Sequence, residues 1–206
     1  MQNDAIHTKK ELRREVLTRR DALSASAREQ ASRAICKKLK DRLAGLSPDS
    51  TVAVYAPMKS EVNLEDFIAW CYTKKLTVVF PCMNMKGSTP RMYMRSVEYL
   101  AWQDRNVPFI ANPLKRYAED DESISDFPVC APGSIDAVIV PMVAFDSDFQ
   151  RLGYGGGNYD EYLRFVSYET LPGAGVKIIG VAFETQRVNQ VPTEPHDLPL
   201  PCIISA

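Results

Sequence analysis

The ten residues Arg151-Leu152-Gly153-Tyr154-Gly155-Gly156-Gly157-Asn158-Tyr159-Asp160 hold four glycines between an arginine and an aspartate. An apolar run, Ile135-Asp136-Ala137-Val138-Ile139-Val140, lies upstream, and a helix-like run from Tyr159 to Phe165 follows directly. This order predicts that the glycines sit at a strand-to-helix junction. Backbone N–H groups at a helix start have no intrahelical partner, and the helix dipole there favours an anion. Glycine reaches positive φ and lets a bulky anion approach the backbone. An arginine before the loop can clamp phosphate oxygens, and an aspartate after it can hold the magnesium that accompanies a nucleotide. The loop reads as a phosphate cradle, with a plain glycine turn as the alternative. It fits neither common template. No Gly-Lys-Ser/Thr follows it, and Asn158 stands where the dinucleotide fingerprint needs its third glycine.

Such a loop needs a scaffold, and 206 residues give room for one sizeable core, so a single domain over residues 1–206 is expected. A net charge of −1 argues against a broad nucleic-acid surface. No apolar run approaches membrane-spanning length, and the polar start Met1-Gln2-Asn3-Asp4 is unlike a signal peptide. The cytosol is the expected compartment, with an organellar one left open. Cys36, Cys71, Cys82, Cys130 and Cys202 are odd in number and widely spaced, which points to reduced thiols. His7 and His196 alone leave little for a histidine metal site or a Ser-His-Asp triad, so any metal should be a hard cation on carboxylates.

Strands alternate with helices along the chain. Residues from Lys9 to Leu23 read as a basic helix whose charges mostly face solvent, and Ala27 to Leu43 as a second helix capped by Ser24 or Ser26. Together they form an expected N-terminal helical hairpin. Thr51 to Tyr55, a helix through Phe67, Ile68 and Trp70 with Asn63 as its cap, and Leu76 to Phe80, ended by Pro81, make a βαβ unit. Arg91 to Val97 alternates as a half-exposed strand does. Met83, Met85, Met92 and Met94 read as gap-filling core, with a pocket for a flat ligand as the other option. Gln103 to Gly133, rich in proline and charge, reads as a long mobile surface segment. Lys177 to Phe183 and Ile203-Ile204 are further strands. The fold class is α/β: a mostly parallel sheet flanked by helices in a Rossmann-like three-layer arrangement. Ligands of such folds sit beyond the carboxyl ends of the strands, where Glu61, the glycine loop and the segment after Phe183 should meet. Asp160 and Asp197 are the natural magnesium pair there, although Asp197 read alone is a turn residue.

At this point the signature from Arg151 to Asp160 resembles that of the 5-formyltetrahydrofolate cyclo-ligases, also called 5,10-methenyltetrahydrofolate synthetases. Lys9-Lys10-Glu11-Leu12-Arg13, Val52 to Glu61, Val140 to Asp146 and Val191 to Asp197 stand in the same order, so the resemblance covers most of the chain. It implies an ATP- and Mg2+-dependent ring closure that turns 5-formyltetrahydrofolate, with or without a polyglutamate tail, into 5,10-methenyltetrahydrofolate, ADP and phosphate. It implies catalytic roles for Arg151 and Tyr159. It implies ATP contacts from Lys9, Arg13, Arg151, Gly153, Tyr154, Gly155, Gly156, Gly157, Asn158 and Tyr159. Folate contacts would come from Glu61, Met92, Tyr93, Trp102 and Tyr154, and magnesium ligation from Asp160 and Asp197. Neither nucleic acid nor membrane is an expected partner, and a monomer is the expected state. The chain departs from the family pattern at Asn158, where a tyrosine is usual, at Phe149, where glycine is common, and at Asn112, where glutamate usually precedes the proline. Two other readings stay open: a non-catalytic folate-binding protein, and a sugar-phosphate isomerase or acyl-transferase relative that uses the loop for phosphate alone.

Overall fold

The computed structural model describes residues 8–169, 175–194 and 197–206, and the side chains of 167–169 are also outside the description. His7, Pro195, His196 and the polar start at Met1 thus lie outside the described residues. Thr8 opens α1 (Lys9–Asp21) with a reciprocal cap: its Oγ1 accepts from the Glu11 N–H, and Glu11 Oε2 accepts from the Thr8 N–H. Of the two candidate caps for α2 (Ala25–Leu43), Ser24 is the one used, accepting from the Ala27 N–H at 3.1 Å. The two N-terminal helices serve different layers and pack on other elements, not on each other as the expected hairpin would. α2 packs on α3 (Glu65–Thr73), whereas α1 lies against residues 144–145 and the turn Glu184–Gln186.

The remaining elements follow in chain order. β1 (Thr51–Ala53) precedes α3, and β2 (Thr77–Asn84), β3 (Met92–Ser96), α4 (Tyr99–Gln103), α5 (Pro108–Ala111), β4 (Arg116–Tyr117) and β5 (Val129–Cys130) come after it. Then come β6 (Ala137–Pro141), β7 (Ala144–Phe145), β8 (Arg151–Leu152), α6 (Asn158–Glu169), β9 (Lys177–Ala182) and β10 (Ile203–Ser205). The main sheet runs β10-β9-β6-β1-β2-β3-β5, with β4 joined to β2. β10, β9, β6, β1 and β2 are parallel, and β3 and β5 antiparallel to their neighbours. Strand side chains alternate between two covered faces. Val52, Phe80, Ala137 and Ile139 meet Leu39, Phe67 and Ile68 of α2 and α3, while Ala53, Val79, Val138 and Val140 meet Tyr162, Leu163 and Val166 of α6. Among the described residues, no helix is long and apolar enough to cross a membrane.

Four further expectations are corrected. The glycine loop does not follow the central strand directly, because the antiparallel hairpin of β7 and β8 intervenes after β6. Pro81 does not end its strand. The Val79 carbonyl accepts from the Val54 N–H on the β1 side, and Pro81 has the same parity, so its missing N–H faces the side on which β1 has already stopped. Residues 103–133 are not a free surface segment. They contribute β4 and β5 to the sheet and bury Val107, Phe109, Tyr117 and Ile124. Asn63 caps α3 from one residue further out than expected, its Oδ1 accepting from the Glu65 N–H at 2.8 Å, with Leu64 at the cap position itself.

Candidate functional site

From β8 the chain turns through residues 153–157 into α6. Gly155 at φ 94° and Gly157 at φ 65° occupy the left-handed region, where glycine alone is unstrained. Arg13 of α1 donates from Nε to the Gly153 carbonyl at 2.7 Å, and its guanidinium carbon lies 3.4 Å from where a Gly155 Cβ would stand. Arg91, just before β3, donates from Nη1 to the Gly156 carbonyl at 2.5 Å and would lie 3.0 Å from a Gly157 Cβ. Two arginines from distant elements thus grip the loop; a Cβ at Gly157 would crowd Arg91, whereas one at Gly155 would only touch Arg13.

Arg151 forms the floor. Its side chain is buried, donates from Nη1 to the Leu198 carbonyl at 2.6 Å and pairs through Nη2 with Asp160 of the first turn of α6. Burial pulls the Arg151 guanidinium below its ordinary pKa, against the pull of both Asp160 and Asp197. Asp197 in turn accepts from Lys9 Nζ at 2.6 Å, and Glu194 lies 3.4 Å from the same ammonium. The desolvation of Lys9 is outweighed by these carboxylates, so its pKa rises. Lys9, Arg13, Arg151, Asp160 and Asp197 are therefore brought together around the loop. The two carboxylates each hold a cation of the chain, and among the described residues no group of three or more His, Cys, Asp or Glu side chains gathers as a metal cage.

A second, drier cluster lies behind the first. Glu61 is buried; its Oε2 accepts from the Met58 N–H at 2.7 Å, and its Oε1 has no partner. Burial raises its pKa, opposed by the Met58 N–H, by the Tyr154 hydroxyl beside it and by the charge of Arg20. The Tyr159 hydroxyl is buried without a partner, and burial, reinforced by Glu61, keeps it protonated. Tyr154 points its hydroxyl at Arg20 Nη2, 2.9 Å away, while its ring remains half exposed. Arg20 itself is 1% exposed, which overturns the expectation of a solvated face at that position. Asn158, at the start of α6, directs Nδ2 at Met83 Sδ, 3.9 Å away.

The expected folate walls are not brought together. Met92 sits on the α6 face of β3, paired with Met83. Tyr93 pairs with Cys82 on the opposite face, because successive strand residues point to opposite sides. Met83, Met92 and Met94 are buried core, as their gap-filling reading requires, and Met85 is exposed. Trp102 lies with Tyr72 and Tyr99 near the amino end of β2, away from the glycine loop. Sequence reasoning missed Arg20 and Arg91. Arg20 was findable, since it follows Lys9 by three helical turns and shares its face. Arg91 gave no signal, because its contact with Gly156 spans 65 residues.

The profile of the 5-formyltetrahydrofolate cyclo-ligase family matches residues 5–206. The chain belongs to the 5-formyltetrahydrofolate cyclo-ligase family. A 5-formyltetrahydrofolate cyclo-ligase of Escherichia coli K12 is 42% identical over 156 residues, 75% of this chain and 77% of that protein. One from Mycoplasma pneumoniae is 28% identical over 200 residues, 96% of this chain and 98% of its own. The fold agrees with the solved 5,10-methenyltetrahydrofolate synthetase of Mycoplasma pneumoniae, at a TM-score of 0.71 and 24% identity over 96% of this chain and 98% of that one. The Aquifex aeolicus 5,10-methenyltetrahydrofolate synthetase gives 0.65 at 25% identity over 96% and 89%. The cyclo-ligase departures now have places. Phe149 adopts φ 59° in the β7–β8 turn, which explains why glycine is common there. Asn112 ends α5 on the surface, far in chain order from the loop.

Proposed function

We propose that this protein catalyses the ATP- and magnesium-dependent conversion of 5-formyltetrahydrofolate to 5,10-methenyltetrahydrofolate, with ADP and phosphate as the other products. The observation that carries the reading beyond family membership is the glycine loop gripped by Arg13 and Arg91 at the start of α6, above the buried Arg151. In the reaction the formyl oxygen attacks the γ-phosphorus of ATP and ADP departs. N10 then adds to the activated carbon, loses its proton, and phosphate leaves. Both nucleophiles belong to the folate, so the protein has to align them and neutralise phosphate charge.

The roles follow from the surroundings. Arg13 spends Nε on Gly153 and keeps its terminal nitrogens over Gly155, where they can meet phosphate oxygens together with the loop amides. Lys9 and Arg151 flank the same space. Asp160 and Asp197 fit a magnesium that arrives with its nucleotide, because such an ion needs only one or two protein carboxylates beside phosphate oxygens and water. When bound, the ion neutralises charge on the transferred phosphoryl group. Glu61, with a vacant carboxylate oxygen in a buried setting, accepts from ring N–H groups of the folate, and Tyr159 closes the space between folate and phosphate. Free folate and ATP satisfy the site, which requires neither nucleic acid nor membrane.

The test mixes protein with 5-formyltetrahydrofolate, ATP and magnesium and follows the near-ultraviolet absorbance of the methenyl product. A rise that needs both ATP and magnesium is expected. Bound folate without any rise would replace the enzyme reading with a non-catalytic one.

A further inference from the structure

Among the described residues Arg20 is the most deeply buried charge, and it takes no part in the chemistry above. No carboxylate lies within ion-pair distance of it among the described residues. A guanidinium so placed is costly unless something satisfies it. One edge is satisfied. Nε donates to Ser60 Oγ and Nη2 to the Tyr154 hydroxyl, both at 2.9 Å, and the guanidinium lies 5.8 Å from the centre of the Tyr154 ring. Ser60 is fixed in turn by donating to Asp21. The other edge is bare, because Nη1 is buried and has no partner.

The bare donor has a bare acceptor for a neighbour. Glu61 follows Ser60, feels the charge of Arg20 and shares the Tyr154 hydroxyl with it, and its Oε1 is also buried and unpartnered. A buried donor and a buried acceptor left open on two residues joined through Ser60 and the Tyr154 hydroxyl fit a ligand that carries an N–H next to a carbonyl oxygen within one flat ring. A ring with an amine in place of that oxygen would set donor against donor. On the cyclo-ligase reading, which this inference deepens and rests on, the ring is the oxo-pteridine of the folate. We propose that Arg20 is a specificity-determining residue of this site: Nη1 donates to the ring carbonyl beside the N–H groups taken by Glu61, and so selects oxo- over amino-pteridines.

The test is equilibrium binding, by calorimetry, of 5-formyltetrahydrofolate and of its 4-amino counterpart. The wild-type protein should prefer the oxo ring by about tenfold or more, since a site with buried polar groups rejects a ligand that leaves them unpaired. In Arg20→Met the preference should collapse to within about threefold while KM for ATP stays unchanged; Arg20→Lys should restore part of it. Ser60→Ala, which frees Nε but keeps the charge, should give an intermediate preference and serves if Arg20→Met fails to fold by circular dichroism. Undiminished preference in Arg20→Met, or in both Arg20→Lys and Ser60→Ala, overturns the role of Arg20 and leaves the cyclo-ligase reading standing. A wild-type protein that binds neither ring and forms no methenyl product overturns that reading and this inference with it.

Discussion

Beyond the carboxyl ends of β1 and β9 the chain gathers Lys9, Arg13, Arg20, Arg151, Glu61, Asp160 and Asp197, whereas near the amino end of β2 it gathers Tyr72, Tyr99 and Trp102. The second region borders a cavity of about 600 Å³ lined by Tyr72, Thr77, Val97 and Tyr99. Yet the Tyr72 hydroxyl is satisfied by the Val97 carbonyl at 2.8 Å, and its ring by tilted packing on Trp102. At the other end Glu61 Oε1, Arg20 Nη1 and the Tyr159 hydroxyl have nothing to bond. Volume alone is a poor guide here. Arg95 Nε and the Tyr117 hydroxyl are buried without partners elsewhere in the sheet, so what sets this end apart is that its open atoms lie beside the glycine loop.

The contrast can be broken by substitution. The largest effect is expected from Asp160→Ala. Turnover should fall by at least about a hundredfold, with folate binding largely kept. Stability should also drop, by about 3 kcal/mol, because Arg151 is left buried without the carboxylate it pairs with directly. Near-normal turnover in the absorbance assay would remove Asp160 from the phosphate chemistry.

Glu61→Gln should act in opposite directions on binding and stability. Folate affinity should fall by about tenfold or more. The folded carboxyl is raised above the ordinary 4.5, so its stabilising contribution is whole below that value and is lost as pH rises through the raised one. Urea melts should therefore show the variant gaining on the wild-type protein from pH 4 to pH 8; a constant difference would contradict the assignment.

Trp102→Ala should do the reverse, costing about 1–3 kcal/mol of stability while KM for folate moves by less than roughly twofold. A tenfold rise in that KM would place Trp102 at the folate site. The smallest effect is expected from Phe149→Gly. The left-handed backbone costs a non-glycine residue about 1–2 kcal/mol, and the looser unfolded chain of glycine offsets about 0.5–1 kcal/mol of that. Phe149 is 46% exposed, so little burial is lost, and a thermal melt should show a slightly higher midpoint.

The sheet was legible where the strands are long. Val138-Ile139-Val140 and Ile178-Ile179 are apolar on both faces because helices cover both, and the βαβ unit followed from its own punctuation. Residues 103–133 misled because β4 and β5 are two residues each, too short to show a period, and are held by neighbours far away in sequence. Pro81 misled because a proline stops a strand only where its nitrogen faces a partner. In the site, the glycine loop and its flanking charges were readable. The pairing of Lys9 with Asp197 and the grip of Arg91 on Gly156 were not, because long-range contacts of charged residues leave no periodic trace. Met92 and Tyr93 are divided between two faces by the alternation of a strand, which a resemblance between sequences does not display.

The hydrogen bond from Lys9 to Asp197 joins residues 188 apart in the chain. Closing so long a loop is entropically late, and little else can enforce it until the sheet between them is complete. A chain still emerging from the ribosome would hold Arg13 and the glycine loop well before Asp197 exists. On the proposed function, phosphate chemistry is thereby withheld until Asp197 has been made and the sheet has closed.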